Sequence, residues 1–167
     1  MDSMRIGEGF VGEGVDAAHV NTVLGPRDGP VGVAWATALA TPREGHVPFV
    51  AVVRPGLAVK PMTLFVNKAT IGPGRHGDLT WGAAQAGVAS GVAEALAEGV
   101  IERTRVDELV LIAAVWVNPL AADEEAVYAN NRAATLTALR SASAGLPDVD
   151  HVLAARDDPR NPFFRRP

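Results

Sequence analysis

Glu108-Leu109-Val110-Leu111-Ile112-Ala113-Ala114-Val115-Trp116-Val117 is an unbroken apolar run behind a single carboxylate. Apolar residues without alternation suit a strand covered on both faces, so this segment reads as the central strand of a sheet, closed by Asn118-Pro119. Upstream, Leu79 to Gly99 carries Ala84, Val88, Val92 and Ala95 at helical spacing. Asp78 is its expected N-cap, and its alanines and glycines permit close packing. Downstream, a second long helix is expected from about Asp123 to Ser143, with Glu124-Glu125 at its positive end. Further out, Phe49 to Val53 and Thr63 to Ile71 read as strands, and Val31 to Leu39 as a short helix after the turn Gly25-Pro26-Arg27-Asp28-Gly29-Pro30. Met4 to Val11 and Ala17 to Leu24 read as two strands around Gly12-Glu13-Gly14. The tail predicts a short strand around His151 to Leu153, then a proline-interrupted end whose Phe163-Phe164 would dock on the body or on a neighbouring subunit. This order of elements implies an α/β or α+β sheet covered by helices.

At 167 residues, with 48% hydrophobic residues, the chain can bury one core, so a single domain over 1–167 is expected. A formal charge of -4 gives no cationic footprint for nucleic acid. Zero cysteines exclude disulfides and thiolate chemistry, which fits the cytoplasm. No signal-like start or membrane-length apolar run is seen, so no membrane partner is expected. No two histidines have the spacing of a metal pair, so no metal is expected. Gly72-Pro73-Gly74-Arg75-His76-Gly77 lacks the lysine and hydroxyl ending of a phosphate loop.

Two places carry chemistry. In the second strand, alternation sends His19, Asn21 and Val23 to one face. His19 is open to three readings: a satisfied core histidine, a surface histidine, or a general acid/base. Asn21 beside it reads equally well as a loop contact. Of the 15 basic residues only Lys60 and Lys68 are lysine, and an ammonium differs from a guanidinium in being a compact, rotatable point charge. Lys68 with Thr70 is either a solvated edge pair or part of a site set in an otherwise apolar strand. Gln85, in an apolar helical stretch, reads first as a packing or interhelical contact.

Taken in order, Ile6-Gly7-Glu8, Gly12-Glu13-Gly14, Ala18-His19-Val20, Gly25-Pro26-Arg27, Gly45-His46-Val47-Pro48, Asn67-Lys68-Ala69-Thr70, Gly82-Ala83-Ala84-Gln85 and Asn161-Pro162-Phe163 resemble the formaldehyde-activating enzyme family over nearly the whole chain. The resemblance implies a two-layer α/β fold like that of ribosomal protein domain 2, with a left-handed β-α-β crossover against the usual hand. It also implies a homopentamer with pterin sites between subunits, acting on formaldehyde and a reduced pterin, tetrahydromethanopterin, as co-substrate, without a tightly bound cofactor. Carried over by position, the acid/base histidine falls on His19, and the pterin contacts fall on Asn21, Val50, Lys68, Thr70 and Gln85. The family usually has aspartate where this chain has Asn21, and leucine where it has Val50. An amide cannot carry the aspartate's charge, so a different amine or aldehyde, or a noncatalytic pterin-binding module, stands as the alternative to the family reaction.

Overall fold

The computed structural model describes residues 4–161, 164 and 165. Strands β1 (Arg5–Val11) and β2 (Ala18–Pro26) form an antiparallel hairpin, followed by helix α1 (Pro30–Ala40). Next come β3 (Phe49–Val50), a hairpin of β4 (Val52–Arg54) and β5 (Leu57–Ala58), and β6 (Met62–Asn67). Helix α2 (Arg75–Leu79) opens into a π-helical turn over Thr80–Ala84 and continues as α3 (Gln85–Ala97). Then follow β7 (Leu109–Trp116), α4 (Glu124–Ala144), α5 (Val149–Ala154) and a tail hairpin of β8 (Arg160–Asn161) and β9 (Phe164–Arg165).

The main sheet has the order β1-β2-β7-β6-β3. β6 and β7 run parallel, joined by the α2–α3 crossover, whereas β1–β2, β2–β7 and β3–β6 are antiparallel. The result is a mixed sheet with helices, an α+β fold, and β7 lies inside the sheet as its apolar run predicts. Alternation divides its side chains: Leu111, Ala113 and Val115 are buried toward α3 and α4, while Ile112, Ala114 and Trp116 are half-buried on the other face.

Helix α4 lies directly on the hairpin because β1 puts glycine under it. A Cβ on Gly9 would sit 2.1 Å from the Ala134 carbonyl oxygen. The same device joins α3 to α4, where a Cβ on Gly87 would sit 2.4 Å from the Tyr128 carbonyl oxygen. The start of α4 is fixed from two sides. Asp123 caps it by accepting from Ala126 N–H, and Asp16 Oδ1 in the β1–β2 connection accepts from the N–H groups of Ala122 and Asp123.

Several sequence expectations are corrected. Asp78 is not the N-cap: the helix begins one turn earlier, after Gly74 at φ 65°, a conformation glycine adopts without strain. The strand expected over Thr63 to Ile71 stops at Asn67, whose Nδ2 donates to the carbonyls of Gly45 and Ala69 and bends the chain away. The strand expected over Phe49 to Val53 is split at Ala51, its first part joining the main sheet and its second pairing with β5. His151 to Leu153 is helical, because Asp148 after Pro147 caps α5 by accepting from His151 N–H. Phe164 is 52% exposed, and Phe163 lies outside the described residues.

Candidate functional site

On the sheet face away from α3 and α4, the register arranges three rows of side chains. Phe10, His19 and Trp116 form one row, and Glu8, Asn21, Ala114 and Val66 the next. Ile6, Val23, Ile112, Leu64 and Val50 form the third. Lys68 follows the end of β6, and its N–H still donates to Val115 O at 2.8 Å, so its side chain continues the first row beyond Trp116.

His19 stands in the first of these rows, near the start of β2, with 32% of its side chain exposed. Its Nε2 lies 3.1 Å from Glu8 Oε1, and the Phe10 ring flanks the imidazole at 5.3 Å and 39°. Lys68 Nζ donates to Asn21 Oδ1. The two residues stand two strands apart, and the side chain between Asn21 and Val66 is the single methyl of Ala114, over which the long Lys68 stem can cross. The two lysines thus have different partners. Lys60 is ion-paired with Asp107, holding that carboxyl below the usual range first by its hydrogen bond and then by its charge, whereas the partner of Lys68 among the described residues is a neutral amide.

Of the residues singled out in the sequence, the structure brings His19, Asn21 and Lys68 together and puts Val50 on the same face. Thr70 and Gln85 are not part of that group. Thr70 is exposed in the loop after β6, against Gly45. Gln85 is buried in the helix layer, where its Oε1 accepts from Val52 N–H at 2.5 Å, so part of its amide holds the β3–β4 break. Beside Thr70 opens a cleft of about 420 Å³ lined by Gly45, Val47, Ile71, Pro73, Asp78 and the half-exposed Trp81. His76 is structural: its Nδ1 accepts from Gly72 N–H, and its Nε2 therefore donates to Val117 O.

The residue that sequence reading passes over is Glu8. The signal was present, since alternation in β1 puts Ile6, Glu8 and Phe10 on one face. Pairing Glu8 with Asn21 requires the hairpin register, which the irregular connection over Gly12 to Ala17 does not disclose.

A family model described as formaldehyde-activating enzyme (Fae) matches residues 6–164. The chain belongs to the formaldehyde-activating enzyme family. Among curated relatives it is 43% identical over 162 residues to the "Bifunctional enzyme Fae/Hps" of Archaeoglobus fulgidus, covering 97% of this chain and 41% of that protein. It is 40% identical over 158 residues to the "5,6,7,8-tetrahydromethanopterin hydro-lyase" of Methanosarcina barkeri, covering 95% of this chain and 89% of that protein. The chain thus spans about two fifths of the length of the bifunctional relatives it matches and nearly all of the hydro-lyase. Among the described residues no group of three or more His, Asp or Glu side chains is placed to hold a metal ion, and no helix is long and apolar enough to cross a membrane.

Proposed function

We propose that this protein is a hydro-lyase that condenses formaldehyde with tetrahydromethanopterin, giving the methylene derivative and water. The observation that carries the reading is His19: a part-exposed imidazole on an open sheet face, held against a carboxylate and next to the Asn21–Lys68 pair. One pterin amine adds to the aldehyde carbon and becomes a hydroxymethylamine. His19 delivers a proton to that hydroxyl, the C–O bond breaks with water as leaving group, and the iminium carbon is closed upon by the second pterin nitrogen, which gives up its proton. The two N–H hydrogens and the aldehyde oxygen leave as water. General acid catalysis of this kind is worth about 10²- to 10⁴-fold, and the pocket adds orientation of the two nitrogens.

In this reading Lys68 and Asn21 bind polar atoms of the pterin, Val50 supplies an apolar wall, and Thr70 and Gln85 are the remaining pterin contacts. The separation of Thr70 and Gln85 from His19 within one chain supports a site completed between neighbouring subunits of a homopentamer. The reading carries with it the left-handed form of the β6–α3–β7 crossover and the ribosomal protein domain 2-like classification, and it requires no tightly bound cofactor.

Formaldehyde and tetrahydromethanopterin mixed with increasing protein should form the methylene derivative at a rate proportional to protein above the spontaneous background. His19→Ala should lower the protein-dependent rate by about 10²-fold or more and leave pterin binding intact. A rate equal to the background at all protein concentrations ends the proposal. Asn21 favours a second reading: the uncharged amide facing Lys68 leaves a cation free to attract an acidic group on a different amine, and a panel of amines in the same assay decides between them.

A further inference from the structure

We infer that Glu8 is a positioning residue for His19: its carboxylate holds the proton on Nε2, so that Nδ1 is the nitrogen presented to the reacting aldehyde adduct. The catalytic half of this inference rests on the proposed role of His19, whereas the state of the ring does not. A carboxylate presents lone pairs and negative charge only, so an imidazole nitrogen in ion-pair contact with Glu8 Oε1 at 3.1 Å is favoured to be the one that carries hydrogen. In the neutral ring the lone pair is then on Nδ1, and in the charged ring the transferable proton is the one on Nδ1.

The contact is built into the sheet. Glu8 is directly opposite Asn21 in the β1–β2 register, one diagonal step from His19, within reach of a glutamate side chain. Phe10, directly opposite His19, limits the ring on that side. From the other elements the ring's neighbours are Trp116 and Ala114 on β7, Asn21 on its own strand, and Lys68, which is engaged with Asn21. Among the described residues, Glu8 is the carboxylate in contact with His19. Asn21 carries no charge, so the negative charge beside His19 comes from β1.

The test uses the full-length protein with ¹⁵N-labelled histidine, reading the His19 ring nitrogens at a pH where the ring is neutral, alongside kcat and KM. Wild type should show essentially the Nε2–H form, whereas Glu8→Gln, whose amide can turn either its oxygen or its NH₂ toward the ring, should relax that preference. Glu8→Leu should give a mixed population, and kcat should fall about fivefold with KM unchanged, the scale of one part-exposed charged contact. Glu8 is 60% exposed on an edge strand, so both variants should fold. A lone pair on Nε2 in wild type, or Glu8→Leu with the wild-type ring populations, overturns the assignment. If no preparation turns over, the ring signals alone still decide whether Glu8 sets the tautomer, and the failure then falls on the proposed reaction.

Discussion

Lys68 reaches Asn21 only because the residue between them is small. Ala114 follows Asn21 across the sheet and precedes Val66, and its methyl leaves a trough over which the lysine stem lies. Ala114→Leu should fill that trough and separate the pair without disturbing the helix-side core, since Ala114 faces away from it. A hydrogen bond to a charged group contributes about 1.5–3 kcal/mol when well formed, and less at an exposed site, so kcat/KM for the pterin should drop about tenfold at an unchanged melting temperature. A kcat/KM within twofold of wild type would show that the crossing is irrelevant to the ligand. At this scale the sequence disclosed what strict alternation discloses: His19 and Asn21 share a face. It did not disclose Glu8, whose position depends on a cross-strand register, nor the engagement of Gln85 with the Val52 N–H, a contact between residues far apart in the chain.

Among the elements, legibility followed length. The two long helices and β7 repeat one period for many residues, and the structure has them close to where the pattern puts them. Short segments were decided by single side chains instead: Asn67 ends β6, and Asp148 turns the tail into α5. The small residues of α3 make a sharper claim. Gly87→Ala gains about 1 kcal/mol of helix propensity, but its new methyl would meet the Tyr128 carbonyl oxygen at 2.4 Å and Arg132 N at 3.0 Å, both backbone atoms that cannot rotate aside. Overpacking of this kind costs about 1–3 kcal/mol, so the net effect should be a loss of stability, read as a lower denaturant midpoint. Gly82→Ala is the control: its Cβ would meet nothing within 4 Å, so the midpoint should hold or rise. A stabilised Gly87→Ala protein would mean that α3 and α4 are less closely apposed than described.

At the scale of the whole molecule, the unexplained surface is apolar. Helix α1 is almost entirely alanine, valine, leucine and tryptophan, yet Val31 is its buried residue; Val33 is 68% exposed and Leu39 38%. A monomer has little reason to leave such a helix facing water. The expected neighbour is a second copy of the chain, which the proposed pentamer provides. Sedimentation of the native protein should give about five times the 17.4 kDa of one chain. Val33→Asp, which would bury a charge in any contact made through α1, should shift the mass toward the single chain with the circular dichroism unchanged. If the site is completed between subunits, the protein-dependent rate should vanish with the assembly even though His19, Glu8, Asn21 and Lys68 are all still present. A Val33→Asp protein that keeps both its mass and its rate would place the subunit contact elsewhere; one that dissociates but keeps its rate would show that each chain carries a complete site.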